Sequence, residues 1–507
     1  DCDMELTRRG FVAGTGAAAC MLGAGVGATG QALADGAQEV PVDSTIECDL
    51  VIVGAGGSGL AAAVEAAEAG ANVVVLERMS FAGGGEAGVE GIFAVGSSMQ
   101  KEEGIEISAG EMIRAELAAS QQRASGPAYV DLVHATGVNI DWLLEHGVTF
   151  QGVDSDTGTA RLFHRFEGDA GGVGYVLAME KAAADAGATF MYECLADELV
   201  VDESGAVRGV RATDAEGKRV QVNAAKGVIV ATGGFAEDFD MIVANGFNVD
   251  NCNYVGMAGH DATGHNMAVA VGARSTVDRT AYLSAMSVKG LPDFFNNGKF
   301  SFLIGVASPF ALWIDGNGER FTNEDFAGGN VMLMTLPTRG NGDTNVVFDQ
   351  ASMDVYTGGD AEALSQLQQG LDNGEIRQAD TLEELAGLMG VDAAALSATV
   401  ERYNGYCDEG VDEDYGKPSE LLMPVRQAPF YAVHITIDVQ VSIGSIATDR
   451  RFRALSEAGE PIEGLYVVGV EGAMLWANVY TMNIAGGCNA NNVYSGRVAA
   501  RHALGIA

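Results

Sequence analysis

Residues 49–77 read DLVIVGAGGSGLAAAVEAAEAGANVVVLE, and no other stretch constrains the chain so tightly. Asp49–Val53 is a short apolar run of the kind buried on both faces of a parallel sheet. Gly54, Gly56 and Gly59 follow it directly as GxGxxG. In that pattern the first glycine permits a tight turn, the second lets backbone approach a pyrophosphate, and the third lets helix and strand pack closely. The spacing predicts a helix over Ser58–Ala69 whose free N–H groups face the phosphates. Val73–Leu76 is the expected next strand. Glu77 ends it, where a carboxylate accepts hydrogen bonds from an adenosine ribose and repels a 2′-phosphate. Together these features predict an α/β dinucleotide-binding unit and leave FAD and NAD equally open.

Composition narrows the partners. A chain of 507 residues has room for two or three domains. Its 29 basic against 69 acidic residues give a net charge of −40, which argues against a nucleic-acid partner and against docking on anionic lipid. The seven cysteines are Cys2, Cys20, Cys48, Cys194, Cys252, Cys407 and Cys488. They form no CxxC pair, haem-attachment site or cluster-binding run, so a separate electron donor and no metal are expected.

The N-terminus reads as an address. TRRGFVA at 7–13 precedes a weakly apolar Ala/Gly stretch from Val12 to Gly30 and the triplet Ala32-Leu33-Ala34. That order predicts a twin-arginine export signal over 1–34, with Met4 as its start, and an extracytoplasmic destination. The stretch is too glycine-rich for a membrane span. A linker is expected over 35–45.

Further along, GGGEAGVEGIFAVGSS at 83–98 reads as a loop that approaches a ligand closely. Residues 108–148 and Gly174–Ala186 have helical patterns, and Thr189–Tyr192 a strand pattern. Glu198–Val201, Val207–Thr213 and Arg219–Asn223 read as a small β-meander. Gly227–Ala231 reads as a separate buried strand, followed by a second glycine turn at Ala231–Phe235. Residues 280–345 show no clear period. Helical patterns return at 361–371, 381–389 and 393–407, a buried strand at 462–470 and a glycine-led helix at 484–504.

The set DLVIVGAGGSGLAAAVEAAEAGANVVVLER, GVIVATGGF, ATGHNMAVAVGA, GNGERFTNE, LSATVERYNGYCDEGVDEDYGK, PFYAV, IEGLYVVGV and NVYSGRVAA runs in one order from about residue 46 to the C-terminus. In that order the chain resembles the flavoprotein subunit family of fumarate reductase, urocanate reductase and ketosteroid dehydrogenase. The resemblance implies an α/β fold, with a Rossmann-like FAD-binding domain (46–280 and 441–507) interrupted by an α+β substrate-capping domain (281–440). It also implies non-covalent FAD, and a cap whose closure seals the site from water. The chain is similar in particular to exported, gut-anaerobe-type reductases that saturate the C=C bond of small organic molecules.

Carried over by residue, the resemblance gives the pyrophosphate to Gly54, Gly56, Gly57, Ser58 and Gly59, and the adenosine ribose to Glu77 with Arg78 beside it. It lines the ribityl and flavin with Gly84, Gly85, Glu86, Glu90 and Gly91, and backs the adenine half with Ala231, Thr232 and Gly233. Glu471 and the helix start at Gly486, Gly487, Asn491 and Asn492 meet the ribityl chain and the flavin pyrimidine edge. A helix N-terminus there stabilises the negative charge of reduced flavin.

The catalytic positions depart from fumarate reductase. Gly328 stands about where the family's proton-donating arginine sits, VSIGS at Val441–Ser445 replaces HTMGG, and Asn483 replaces a carboxylate-binding arginine. Fumarate is therefore an unexpected substrate, and a less charged enone or acrylate the expected one. Alkene reduction needs a hydride from flavin N5 and a proton from an acid. Tyr480, Asn483, Arg320 and His434 are the catalytic candidates, with Tyr480 the candidate acid or else a packed tyrosine. Arg320 reads equally as a structural partner of Asn323-Glu324, and His434 and His164 as ordinary hydrogen-bonded histidines. Arg165 and Arg339 are carboxylate holders or surface ion pairs; Trp476 and Tyr282 are an apolar substrate wall or plain core. Three functions stay open. One is a reductase fed by an external donor (a cytochrome, a quinol-linked or an iron–sulfur protein), touching a membrane only through that partner. The others are a dehydrogenase running the reverse reaction and a non-catalytic flavin electron-transfer subunit.

Overall fold

The chain's first long strand, Ser44–Val53, lies in the middle of an eight-stranded sheet. In this computed structural model, residues 41–155, 160–168, 171–293, 298–325, 343–472, 475–480 and 484–506 are described. The sheet order is Arg453–Leu455, Pro461–Val467, Arg219–Val230, Ser44–Val53, Val73–Leu76, Thr189–Met191. The joins from Pro461–Val467 to Thr189–Met191 are all parallel. Leu50, Val51 and Ile52 are wholly buried because helices cover one face and the β-meander the other. The covering helix Gly57–Glu68 is mostly alanine and glycine, and lies tightly against Gly487–Leu504. At Gly496 a Cβ would stand 2.2 Å from the Ser58 carbonyl oxygen, so only glycine permits that crossing.

Two sequence expectations merge here. The meander strand Arg219–Asn223 and the buried strand Gly227–Ala231 are one strand, Arg219–Val230. Its first half alternates because one face meets solvent; its second half is continuously apolar because it enters the parallel core. The change of pattern marks a change of burial, not a chain break. The helical pattern over 108–148 is instead two helices, Ala109–Ala119 and Gly126–Glu145, the second opened by an N-cap at Ser125 and a proline in its first turn. The expected linker ends early, since Ser44 and Thr45 already pair with Val220 and Gln221.

A second, six-stranded sheet is built around Phe430–Ile443, which pairs with Cys252–Tyr254, Ala281–Val288, Asn345–Asp349 and Ile376–Ala379; Leu312–Ile314 completes it. It takes in Cys252–Tyr254, upstream of the expected boundary at 281, and runs past 440 to Ile443. The stretch without a period holds strands Ala281–Val288 and Leu312–Ile314 and a helix, Lys299–Ala307. Burial explains the silence: all but one residue of Ala281–Val288 is buried, so its serines do not alternate with solvent. Beyond Ile443 the chain returns to the first sheet, where Gly444 and Ser445 donate their N–H groups to the carbonyls of Val470 and Glu471. A small three-stranded sheet holds Gly91–Phe93, Phe163–Phe166 and Phe150–Asp154. Among the described residues no helix is long and apolar enough to cross a membrane.

Candidate active site

Both glycine turns leave the C-terminal ends of neighbouring parallel strands, where open α/β sheets bind their ligands. Gly54 has φ +102°, and a Cβ there would lie 2.5 Å from the Ala231 carbonyl oxygen. At Gly59 a Cβ would lie 1.9 Å from the Gly54 oxygen. Glu77, buried at the end of its strand, accepts from the N–H of Ala55 at 2.8 Å and of Met79 at 2.8 Å. Its carboxylate thus braces the glycine turn. Arg78 pairs with Asp261 at 2.8 Å.

The 83–98 segment is more ordered than a loop. Gly84–Gly88 forms a 3₁₀ turn and Gly91–Phe93 a strand. The turn drives Glu86 inward, 3% exposed, so that a Cβ on Gly57 would lie 2.2 Å from its Oε2. Neither carboxylate oxygen has a hydrogen-bond partner among the described residues. Burial pushes the Glu86 pKa up to about 8, opposed by the side chains of Asn489 and Asn492. Helix N-terminal N–H groups, turns with no room for side chains and a buried acid without a partner fit a dinucleotide's phosphates and ribityl hydroxyls. Gly91 reaches the last helix through its carbonyl, which accepts from Asn489 Nδ2 at 3.3 Å. Glu90 is exposed, just before the strand, with Arg165 at 3.5 Å. Arg165 also pairs with Asp154 at 2.7 Å, so its ion-pair reading holds.

At the second turn, Thr232 Oγ1 and the Gly234 N–H donate to Glu471, each at 2.8 Å. Ser445 donates to the other oxygen of this fully buried carboxylate. Phe235 N–H donates to Ser442 Oγ at 2.8 Å. The VSIGS stretch therefore uses its serines to fasten the turn. Gly233 packs on His260, where a Cβ would lie 2.5 Å from Nε2, and Gly85 lies against the same ring. Sequence reasoning missed His260, a lone histidine in a polar loop. Burial pulls its pKa down, so the ring is neutral.

The Gly487–Leu504 helix opens on Gly486 at φ +75°, held by Phe93 N–H donating to the Gly486 carbonyl at 3.2 Å. Asn491 Nδ2 donates to the Gly469 carbonyl at 3.2 Å. Tyr480 is buried, and its hydroxyl accepts from the Cys488 N–H at 3.1 Å in the first turn. Its ring meets Trp476 edge-on at 5.1 Å, and Trp476 meets Tyr129 at 6.5 Å. Tyr129 donates to Glu116 at 2.8 Å, with both residues buried. These residues, with Phe93 and Gly487, line one cavity. Burial holds the hydroxyls of Tyr480 and Tyr129 protonated, well above the usual tyrosine range. Trp476 is thus a cavity wall, whereas Tyr282 packs with Phe235 and Phe247 by the second turn. Glu116 and Tyr129 carried no sequence signal: an acid in an alanine-rich helix reads as a solvated face.

The other catalytic candidates lie apart. Arg320 belongs to a buried ion cluster, with Glu324 at 2.7 Å, Asp412 at 2.9 Å and the Tyr403 and Tyr415 rings beneath its guanidinium. Lys417 joins at 3.3 Å from Glu324. That is the structural alternative, and it removes Arg320 from the catalytic set. His434 sits on the second sheet opposite Asn345, with Asp343 at 3.6 Å, and burial lowers its pKa. Asn483, Gly328 and Arg339 lie outside the described residues.

Comparison with known proteins agrees with this cradle. Residues 49–485 match the family model described as FAD binding domain. The chain is 29% identical over 476 residues to the vinyl phenol reductase of Lactiplantibacillus plantarum, covering 90% of this chain and 96% of that one. It is 29% identical over 484 residues to the urocanate reductase of Eggerthella lenta, covering 92% and 76%. The solved 3-ketosteroid-Δ4-(5α)-dehydrogenase of Rhodococcus jostii RHA1 has a TM-score of 0.69 at 27% identity, covering 92% of this chain and 98% of that one. The dinucleotide foreshadowed by residues 49–77 is accordingly FAD, and the chain belongs to the FAD binding domain family of flavin-dependent oxidoreductases.

Proposed function

We propose that this chain is an exported FAD-dependent reductase of an activated C=C bond in a small, weakly charged molecule of the enone or acrylate type rather than of fumarate. The carrying observation is the Tyr480 hydroxyl, buried at the first turn of the Gly487–Leu504 helix in a cavity walled by Phe93 and Trp476. FAD, when bound, supplies the hydride. Tyr480 holds the matching proton at its hydroxyl, and the Tyr129–Glu116 pair across the cavity holds a second. Phe93, Trp476 and Leu132 give this small cavity apolar walls. Among the described residues no arginine or lysine lines this cavity; in the sequence, Gly328, Val441 and Asn483 stand at the family's dicarboxylate positions. Relatives named for vinyl phenol, urocanate and acrylate support the same substrate class. The ketosteroid dehydrogenase likeness favours a second reading, in which the same residues serve desaturation.

Oxidation of a reduced dye, screened against enones, acrylates, vinyl phenols and fumarate, tests the reading. We expect turnover of at least one uncharged or monoanionic alkene. Comparable turnover of fumarate overturns the substrate class. No turnover of any alkene by flavin-loaded protein favours an electron-transfer subunit instead. Export by the twin-arginine route predicts that replacing Arg8 and Arg9 with lysines leaves folded, FAD-loaded protein inside the cell; unchanged secretion refutes it.

A further inference from the structure

We propose that Glu86 holds FAD as a neutral carboxylic acid, donating a hydrogen bond to the pyrophosphate–ribityl region, so that in alkaline solution binding the cofactor takes up one proton at this side chain. The proposal rests on the FAD assignment and concerns what this chain adds to it.

The geometry carries the argument. Glu86 Oε2 occupies the space a Cβ on Gly57 would need, at 2.2 Å, which places it against the first turn of the Gly57–Glu68 helix. Its backbone is pinned as well, since a Cβ on Gly172 would lie 1.8 Å from the Glu86 carbonyl oxygen. The side chain is 3% exposed; neither oxygen has a partner in good hydrogen-bond geometry among the described residues, and the uncharged side chains of Asn489 and Asn492 are the groups near enough to bond it. A helix N-terminus stabilises one anion well. A dinucleotide brings its own charged phosphates to that place, so an ionised Glu86 would compete with them. A protonated Glu86 satisfies its orphaned atoms by donating to an acceptor-rich ligand.

No neighbouring charge settles the matter otherwise. The Gly57–Glu68 helix presents Gly57 and Ser58. The Gly487–Leu504 helix presents Cys488, Asn489 and Asn492. The Val173–Asp185 helix presents Tyr175, whose hydroxyl donates to the Gly57 carbonyl at 2.8 Å. His260 lies against Gly85. The Cys488 thiol is pushed up to about 12, the Tyr175 hydroxyl well above its ordinary range, and His260 below its own. Burial places the Glu86 carboxyl at about 8, and added phosphate charge raises it further. Of these groups only Glu86 changes charge in mildly alkaline solution.

The test is FAD affinity against pH, read by flavin fluorescence quenching on the full chain stripped of flavin. Below about pH 8 the wild-type dissociation constant is expected to be flat. Above it the constant should rise toward tenfold per pH unit, as one proton must be supplied for each FAD bound. Glu86→Gln keeps size and a donor but cannot ionise, so its constant should stay flat and be the tighter at about pH 9. Calorimetry in two buffers of different ionisation enthalpy should show about one proton taken up by wild type at that pH and none by the variant. Glu86→Ser, smaller and equally non-ionising, serves if Glu86→Gln does not fold. Equal slopes in wild type and variant, or equal proton uptake, would overturn the proposal and mean that the carboxylate turns away from the phosphates. Failure to bind FAD at any pH would instead strike the cofactor assignment.

Discussion

Tyr480 and Glu86 are both buried acids beside the Gly487–Leu504 helix, and burial raises both, but only one of them changes state near neutrality. Tyr480 keeps its proton at every working pH, which suits a donor that must be loaded before each turnover. Tyr480→Phe keeps the ring against Trp476 and loses only the hydroxyl. Its kcat is expected to fall roughly 10²- to 10⁴-fold with flavin absorbance intact; a variant within twofold of wild type places the acid elsewhere. His164 provides a stability test. It is wholly buried, with Nε2 2.7 Å from Ser97 Oγ, and burial lowers its pKa to about 4. The folded state thus prefers the neutral ring, and the stability it contributes is full above the unfolded value of 6.5 and lost as pH falls toward 4. The loss is of order 3 kcal/mol. In urea titrations from neutral to acid pH, His164→Asn should lose less stability than wild type over that window. An unchanged pH slope would show that the ring is not held neutral by the fold.

The Gly57–Glu68 element was legible in the sequence because each of its glycines answers a close contact. That contact differs in kind along the helix, and the difference is measurable. A Cβ at Gly59 meets the fixed oxygen of Gly54 at 1.9 Å, whereas one at Gly57 meets the movable side chain of Glu86 at 2.2 Å. Gly59→Ala should therefore lower the melting temperature of the protein, at a cost of about 1–3 kcal/mol or more. Gly57→Ala should keep the fold and weaken FAD instead, by displacing Glu86. Equal melting temperatures for the two variants would contradict this ranking. Other elements were not legible for the same physical reason in different dress. Arg219–Val230 changes burial halfway, so its pattern changes while its backbone does not. The Tyr129–Glu116 contact joins two helices across the break at Ser120–Ser125, and no local period encodes which acid meets which ring.

For the molecule as a whole, the order of motifs predicted the architecture, because the returning strand at 462–470 and the glycine-led helix after it belong with residues 49–77 in any such sheet. The site itself was half legible. The glycine turns and the strand-end Glu77 were legible, but the packing of His260 on Gly233 and Gly85 and the meeting of Glu116 with Tyr129 arise only when separate elements come together. Arg320 misled because a charged residue beside a substrate domain and one inside an ion cluster look alike in sequence. A last consequence lies in Glu471. One of its oxygens holds Thr232 and Gly234 on the cofactor turn, and the other holds Ser445, just past the long strand of the second sheet. That carboxylate is a fulcrum shared by both sheets. A ligand that shifted the second sheet would pull on Ser445 and, through the same carboxylate, on Thr232 and Gly234, so its arrival would be felt at the second glycine turn.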